Sequence, residues 1–492
     1  MQIGTLLQRA AIRYGEAPCL TEGDRTLSFR DFDTATNRLG NELVRRGFKP
    51  GDRVAVILPN SIDCLIAYYA VFKAGLVRVQ LNVKETLDNH LYKIGDSGAC
   101  GAIHADIDGV KAEILIGWDE LKHMIDSGDP APLNIPRDLD DPLRFGYTGG
   151  TTGKAKAVML TTRTDLVETT GFLTDLVPEL QPGEVFLHGA PIAHASGAFF
   201  LPSLIRGVHS VVVTKFDTGQ FLELAEKTQA AFTFLVPTMI AMILEDPRVD
   251  RTKVHFKRIA YGAASISPNL IQRAERRFGR VFVQCYGQAE SPMMITYLEP
   301  ADHDRVGSSG RPFSVVDVAI FDEHDKPLPP GERGEIVCRG PQTMARYWNR
   351  PEQTAAAFRS GWLHTGDIGV MDKDGFFYIV DRKNDLLISG GYNVYPREVE
   401  DVLLGFPGVV EAAVVGIPDD HWGERVVAVL AGKPGLDPEA IMQYAREHLA
   451  PFKRPKEVLL WPELPKSAAN KILRRTVRDT LIASSNPPAS GK

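Results

Sequence analysis

Cysteine is scarce in this chain of 492 residues, which contains five cysteines and no CxxC pair. They are Cys19, Cys64, Cys100, Cys285 and Cys338. Without paired cysteines, the sequence indicates neither a disulfide framework nor a cysteine-ligated zinc site. Isolated cysteines are typical of small core residues in a reducing compartment, and we predict a cytoplasmic protein.

The chain also lacks long apolar runs and a large excess of either charge. No apolar run approaches the roughly 20 residues that a membrane span requires, and residues 1–16 lack the uninterrupted apolar centre of a signal peptide. The formal net charge of −6 gives no reason to expect a nucleic-acid partner. The composition, 44% hydrophobic and 24% charged, is that of a globular protein.

Helix and strand patterns alternate over most of the sequence. An amphipathic pattern at residues 32–46 precedes an apolar run at 53–58, and the same order recurs at 268–278 and 281–284. Alternation of this kind indicates α/β layers with mainly parallel strands.

The pattern changes towards the C-terminus. After about residue 315, short strands separated by Gly, Pro and Asp turns predict a β-rich subdomain. We therefore predict a large N-terminal domain at 1–383, with layered α/β subdomains and this β-rich part. A small α+β C-terminal domain follows at 384–492, and its Ser/Pro-rich tail at 484–492 has the composition of a disordered segment.

Three glycines, three threonines and two lysines lie within residues 147–156. Glycine allows close approach to an anion, hydroxyl and backbone N–H groups donate to phosphate oxygens, and lysine adds positive charge. Predicted strands at 143–147 and 157–160 hold the loop at both ends, which favours phosphate binding over a solvated turn. The loop is not a Walker motif, which needs glycine at Thr148 and Ser or Thr at Ala155.

Other polar residues stand out along the chain. Tyr286 and Glu290 follow the predicted strand at 281–284, and ligands of open α/β sheets bind at the carboxyl ends of strands. His194 lies among small residues, Asp367 follows a tight turn, and Lys471 lies near the C-terminus. Taken singly, each has an ordinary explanation: a packed loop histidine, a surface carboxylate, a turn residue or a solvated charge.

Together and in this order, these motifs resemble the adenylate-forming superfamily, which includes acyl-CoA synthetases, firefly luciferase and adenylation domains of peptide synthetases. The resemblance extends from about residue 27 to residue 475. It implies that a carboxylate attacks the α-phosphate of ATP to give acyl-AMP and pyrophosphate, and that a thiol then displaces AMP. ATP, Mg²⁺ and CoA are the implied cofactor and substrates, with no prosthetic group.

The resemblance also implies residue roles. Lys471, Glu290, Arg382 and His194 would be catalytic, and Lys471 would bridge the substrate carboxylate and the α-phosphate. Glu290 and Thr151 would bind Mg²⁺, Tyr286 would stack on adenine, and Asp367 would accept hydrogen bonds from the ribose. The complete ATP/AMP-binding set is Thr148, Gly149, Gly150, Thr151, Thr152, Gly153, Lys156, Gly262, Ala263, Ala264, Tyr286, Gly287, Asp367 and Arg382.

The second half-reaction would require the C-terminal domain to rotate about Asn384, placing Gly390, Gly391 and Lys453 at the CoA site. The implied acyl pocket is mostly small or apolar, which suits an aryl, medium-chain or polycyclic acid. Its members are His194, Ala195, Ala198, Phe199, Val236, Tyr261, Gly262 and Cys285. Peptide-synthetase adenylation domains place an aspartate near the position of His194 to bind an α-amino group, and its absence here argues against an amino-acid substrate.

The sequence departs from the family pattern at Gly149, Ala155, Ala157, Ala289, Asn384 and Asn470. None of these changes deletes a charged catalytic group, so we predict an active enzyme. Two alternatives stay open: an acyl-AMP ligase that delivers its product to an acyl carrier protein, and a catalytically weak binding protein. The sequence is compatible with a monomer or a homodimer.

Overall fold

A computed structural model describes residues 2–148, 154–264, 266–382, 385–419, 421–467 and 472–485. Its helices are α1 Ile3–Tyr14, α2 Phe29–Arg45, α3 Ile62–Lys73, α4 Leu87–Ser97, α5 Trp118–Ser127, α6 Thr162–Gly171, α7 Ala195–Ala198, α8 Phe200–Arg206, α9 Thr218–Lys227, α10 Pro237–Glu245, α11 Pro268–Phe278, α12 Pro351–Ala357, α13 Pro396–Leu403, α14 Pro438–His448 and α15 Arg474–Ser485. A π-turn at Phe172–Leu176 continues α6, and Pro300–Asp302 forms a 3₁₀ turn.

The strands are β1 Pro18–Glu22, β2 Arg25–Ser28, β3 Arg53–Ile57, β4 Val77–Gln80, β5 Gly101–His104, β6 Ile114–Ile116, β7 Pro142–Tyr147, β8 Ala157–Thr161, β9 Val185–His188, β10 His209–Val212, β11 Phe232–Leu235, β12 Arg258–Gly262, β13 Phe282–Gln288, β14 Ser291–Leu298, β15 Ser308–Pro312, β16 Asp317–Phe321, β17 Arg333–Arg339, β18 Arg346–Tyr347, β19 Phe358–Arg359, β20 Trp362–Met371, β21 Phe377–Arg382, β22 Leu387–Ser389, β23 Tyr392–Val394, β24 Val409–Asp419, β25 Gly423–Gly432 and β26 Glu457–Leu460.

One sheet of the N-terminal part carries the phosphate loop. Its strand order is β18-β8-β7-β4-β3-β5-β6, and β4, β3 and β5 pair in parallel, as the alternating pattern predicts. Helix α2 begins at Phe29, three residues before the predicted start, because Ser28 and Asp31 form a capping box at its N-terminus. Helix α3 is buried on all sides, which accounts for its continuous apolar sequence.

The larger sheet joins the α/β part to the β-rich part. Strands β10, β9, β11, β12 and β13 are parallel neighbours, and β14, β15, β21, β20, β17 and β16 continue the sheet with antiparallel pairing. The predicted mixed α/β fold is therefore confirmed. The β-rich region is a continuation of the larger sheet, since β14 and β15 pair with each other and β15 pairs with β21.

Strand β13 is longer than predicted. It continues through Gln288 and forms an antiparallel hairpin with β14, so Tyr286 lies within the strand and only Glu290 lies at the turn. Gly287 permits the close approach of the two strands, because a Cβ atom there would lie 2.4 Å from the backbone nitrogen of Met293. The predicted strand end at Gln284 is therefore wrong.

The small C-terminal part has its own core. Strands β24 and β25 form a long antiparallel pair, with β26 parallel to β25, and α13, α14 and α15 pack around them. Lys433 of this part forms an ion pair with Glu245 of the N-terminal part, with 3.1 Å between Nζ and Oε2.

The composition predicts unpaired core cysteines and no membrane-spanning helix. Cys19, Cys64, Cys285 and Cys338 are buried and Cys100 is half-buried, so all five cysteines are free and lie in or beside the core. Among the described helices, none is long and apolar enough to cross a membrane.

Candidate active site

The predicted phosphate loop is held by a hairpin. Strands β7 and β8 pair from Pro142 to Tyr147, and the backbone N–H of Thr148 donates to the carbonyl of Lys156 at 3.2 Å. The Lys156 N–H also donates to the Thr148 hydroxyl at 3.3 Å. The predicted flanking strands are therefore present. Gly149, Gly150, Thr151, Thr152 and Gly153 lie outside the described residues.

Glu290, Tyr347 and Lys156 come together beside this hairpin. The Tyr347 hydroxyl donates to Glu290 Oε1 at 2.6 Å, and Lys156 Nζ lies 4.1 Å from the centre of the Tyr347 ring. Burial and the nearby Glu290 carboxylate raise the pKa of Tyr347 far above its ordinary value, so the phenol is a donor. The structure thus brings two predicted residues, Glu290 and Lys156, to one tyrosine that sequence reasoning missed.

A second cluster forms where β13 meets β20 and β21. The Tyr286 hydroxyl donates to Asp367 Oδ2 at 2.6 Å, and Gln288 Nε2 donates to the same oxygen at 2.8 Å. Arg382 Nε lies 3.3 Å from Asp367 Oδ1, because Asp367 and Arg382 are paired residues of β20 and β21. Burial and the Asp367 charge raise the pKa of Tyr286 well above its ordinary value. Gln288 was not predicted.

The predicted adenine segment follows β12 with a strained backbone. Ala263 has a φ of 66°, a left-handed value that is uncommon for residues other than glycine. Ala263 and Ala264 are exposed, whereas Gly262 packs closely: a Cβ at Gly262 would lie 2.4 Å from the Cys285 carbonyl oxygen. Strain of this kind is concentrated at ligand sites in proteins.

His194 lies at the start of α7 and contacts the segment that follows β4. Its Nε2 is 2.9 Å from the side-chain amide nitrogen of Asn82. The ring edge is open to solvent, but surrounding protein atoms lower the pKa of His194 below its ordinary value. The ring is therefore neutral near pH 7.

The predicted acyl-pocket residues differ in burial. Ala195 and Ala198 are half-buried, whereas Phe199 is fully buried in an aromatic cluster with Phe172 and Phe186. Val236, at the start of α10, is also buried.

Tyr261 requires a correction. Gly262 pairs with Cys285 and Tyr261 pairs with Gln284, so the Tyr261 ring and the Cys285 thiol lie on opposite faces of the sheet. The Tyr261 hydroxyl contacts Gln284 and His303 in the core instead. The Tyr261 side chain cannot line a pocket together with Cys285. Burial raises the pKa of Cys285 to about 12, so that thiol is uncharged near pH 7.

Lys471 lies outside the described residues, but the residues that precede and follow its segment are described. Lys466 and Ile472 form an isolated antiparallel bridge, and the Leu473 N–H donates to the Pro465 carbonyl at 2.9 Å. A cleft of about 650 Å³ separates Lys466 and its neighbours from Lys84 of the N-terminal part. Lys466, which precedes the segment of Lys471, therefore lies across this cleft from Lys84.

The predicted CoA-site residues lie together on the C-terminal part. Gly390 and Gly391 form the turn between β22 and β23, with φ values of 57° and 79°. The adjacent Tyr392 stacks on Phe452 at 4.9 Å, and Lys453 forms an ion pair with Glu398. Asn384, the predicted hinge, lies outside the described residues.

Comparison with known proteins identifies the chain. Residues 7–348 match the model of the AMP-binding enzyme family, and residues 398–471 match the model of the AMP-binding enzyme C-terminal domain. The chain belongs to the AMP-binding enzyme family. The predicted membership of the adenylate-forming superfamily is confirmed.

This AMP-binding enzyme is similar to several ligases along nearly its whole length. It is 36% identical to a medium/long-chain-fatty-acid–CoA ligase, FadD8, of Mycobacterium tuberculosis, over 96% of this chain and 89% of the relative. It is also 36% identical to a feruloyl-CoA synthase of Amycolatopsis, over 97% and 98% of the two chains. The ATP-bound crystal structure of MatB from Rhodopseudomonas palustris has a TM-score of 0.90 and 29% identity, covering 99% of this chain and 100% of that one. The predicted class of acid–thiol ligase is confirmed.

Proposed function

We propose that this AMP-binding enzyme is an AMP-forming acyl-CoA ligase that activates an aryl or medium-chain carboxylic acid. The observation that carries the proposal is the cluster of Tyr286, Gln288, Asp367 and Arg382, which places a buried carboxylate beside a cation. Asp367 would accept from the ribose hydroxyls and Arg382 would lie near the phosphate. The full-length likeness to acid–CoA ligases supports this assignment.

The first half-reaction joins two anions, so charge neutralisation and in-line positioning supply most of the catalysis. Thr148, Lys156 and the loop between them would hold the β- and γ-phosphates. Lys471 would then neutralise charge on the substrate carboxylate and on the α-phosphate. Lys466, which precedes the segment of Lys471, lines a cleft together with Lys84, and this supports the arrangement.

The donor set at Glu290 fits Mg²⁺. Glu290 Oε1 accepts from Tyr347, and among the described residues its second oxygen has no hydrogen-bond partner. A carboxylate oxygen is the hard ligand that Mg²⁺ prefers, and the ion would neutralise phosphate charge. Within the described part of the chain, no group of three or more His, Cys, Asp and Glu side chains is placed to hold a metal ion. Glu290 would therefore bind Mg²⁺ together with phosphate oxygens, and Thr151 would add a ligand.

The chemistry of the predicted pocket and the relatives support the proposed acid class. Ala195, Ala198 and Gly262 leave volume, and Cys285 is an uncharged thiol. A pocket of this kind favours an apolar group behind the carboxylate. The proposed class of aryl or medium-chain acid also rests on two relatives, one named for medium/long-chain fatty acids and one for ferulate.

The second half-reaction would use a rotation of the C-terminal domain. We place the domain boundary between residues 383 and 384, with Asn384 as the hinge. Arg474 contacts Asp381 at 3.3 Å and Asp385 at 2.9 Å, on both sides of this boundary. Rotation would separate Arg474 from Asp381 and would present Gly391 and Lys453 to CoA.

A substrate panel tests the proposal. The purified chain, ATP and Mg²⁺ are incubated with aryl, medium-chain and polycyclic acids, with and without CoA, and pyrophosphate and acyl-CoA are measured. We expect acid-dependent pyrophosphate release and an acyl-CoA of the expected mass. Pyrophosphate release without acyl-CoA would indicate a carrier-protein acceptor, and no release with any acid would exclude the ligase function.

Tyr347→Phe is expected to weaken Mg²⁺ use while leaving the fold intact, because it removes only the hydroxyl that orients Glu290. Loss of such an orienting partner typically lowers metal affinity about 10–100-fold. The Mg²⁺ concentration for half-maximal pyrophosphate release should rise accordingly, as should the Kd of Mn²⁺ measured by electron paramagnetic resonance with ATP present. Tyr14→Phe is the matched control, since Tyr14 donates to the Ile205 carbonyl and not to Glu290. An equal effect in both variants would contradict the role of Tyr347.

A further inference from the structure

We propose that Asn82 is a positioning residue that holds the His194 ring in the neutral tautomer with its proton on Nδ1. The inference rests on the proposed function, in which His194 lies beside the acyl group. It concerns the amide of Asn82, a residue that no motif predicted. The evidence is a set of hydrogen bonds that leaves one orientation for the amide and one protonation state for the ring.

Two contacts fix the orientation of the Asn82 amide. The backbone N–H of Lys84 donates to Asn82 Oδ1 at 2.9 Å, and only the oxygen of an amide can accept that bond. The amide nitrogen, Nδ2, must then be the atom that lies 2.9 Å from His194 Nε2. An amide nitrogen donates and does not accept, so Nε2 is the acceptor and carries no proton.

Asn82 is itself held firmly. It is 4% exposed, and its backbone carbonyl accepts from Nε2 of His90, a histidine that is 1% exposed. The side chain has little freedom to turn away, because its position and its oxygen are both fixed by other bonds. A rigid partner of this kind is what sets the tautomer of a histidine ring.

Electrostatics around the ring agrees with a neutral state. Charged groups that act on His194 are Glu85, which favours protonation, and Lys93, which opposes it. These two side chains form an ion pair with each other, so their effects largely cancel. Desolvation by the neighbouring protein atoms is the larger influence and lowers the pKa of His194.

The fixed tautomer gives the ring one polar hydrogen, on Nδ1. Among the described residues, His194 Nδ1 has no hydrogen-bond partner, and the ring is open to solvent. A neutral N–H donor at this place would bond to an acyl oxygen without adding a positive charge. It would thereby hold the acyl group beside the thiol path, and protonation of Nε2 would break the bond to Asn82.

The test is Asn82→Asp, which keeps the size of the side chain and replaces the donor with a negatively charged acceptor. The His194 ring should then bind a proton on Nε2, and its pKa should rise by about 1–3 units, the usual effect of an adjacent opposite charge. NMR of histidine labelled at Cε1 measures this titration without substrate. Comparison with His194→Ala assigns the signal among the 12 histidines. The acid limb of the acyl-CoA pH–rate profile should move upward by the same amount.

Asn82→Leu and Asn60→Asp complete the experiment. Leucine removes the donor without adding charge, so nitrogen shifts of the His194 ring should move from a single Nδ1–H tautomer towards a mixture. Asn60 anchors the same loop through Ala190 and Ile192 but does not touch His194. An unchanged titration in Asn82→Asp, an unchanged tautomer in Asn82→Leu, or an equal pKa rise in Asn60→Asp would each overturn the inference. The NMR signals are measured in the free protein. They therefore test the tautomer of His194 even if no acid in the substrate panel is activated.

Discussion

Replacing Lys471 with alanine is expected to lower acid-dependent pyrophosphate release by at least about 10²–10³-fold, the cost of removing one group that stabilises transition-state charge. The reacting carboxylate and the α-phosphate are both anionic. An alanine side chain cannot neutralise their charge as an ammonium group would. Thioester formation from supplied acyl-AMP and CoA should be nearly unchanged, because that step has no attacking carboxylate. The measurement compares the two half-reactions in one preparation.

Lys466→Ala is the matched control on the same turn. Lys466 already forms ion pairs with Glu411 at 2.5 Å and with Glu463 at 3.2 Å, so its charge is neutralised within the C-terminal part. We expect its loss to leave pyrophosphate release within about threefold of the wild type, because both partners of Lys466 are carboxylates of the C-terminal part and neither is a predicted site residue. If Lys466→Ala loses as much activity as Lys471→Ala, the shape of the turn and not the ammonium group is responsible. Equal loss of both half-reactions in Lys471→Ala would contradict the assigned role.

The sequence identified residues whose chemistry is visible in a short motif. Asp367 and Arg382 belong to separate motifs, and their contact follows from the pairing of β20 with β21. Tyr347 and Asn82 were missed for a physical reason. Each acts through one hydrogen bond to a residue far along the chain, 57 positions away for Tyr347 and 112 for Asn82. No local pattern reports such a contact.

Strand register is the other property that the sequence did not reveal. The predicted strand end at Gln284 is wrong because pairing with β14 extends the strand through Gln288. The face occupied by Tyr261 also depends on register, because a shift by one residue exchanges the two faces of a strand. Patterns of apolar residues predicted the layers of the fold, and hydrogen bonds between distant strands decided which side chains share a surface.

Gly391→Trp is expected to have the opposite effect to Lys471→Ala. A Cβ at Gly391 would meet no atom within 4 Å, so a bulky side chain projects into open space and should leave pyrophosphate release nearly unchanged. In the rotated state Gly391 would line the path of the thiol, and an indole there would displace it. A displacement of about 1 Å can cost roughly 10²-fold in rate, and we expect at least this loss in acyl-CoA formation from supplied acyl-AMP.

Backbone strain offers a competing explanation for such a loss, because Gly391 has a φ of 79° and follows Gly390 at 57°. Gly391→Ala separates the two explanations, since alanine is strained by a left-handed backbone but is much smaller than tryptophan. If bulk in the thiol path is the cause, Ala should retain most acyl-CoA formation while Trp does not. If strain in the β22–β23 turn is the cause, both variants should lose it and should also melt at lower temperature. Normal acyl-CoA formation in Gly391→Trp would indicate that the thiol path lies elsewhere. The proposed path includes this turn and Lys453, which the stacked Tyr392 and Phe452 join.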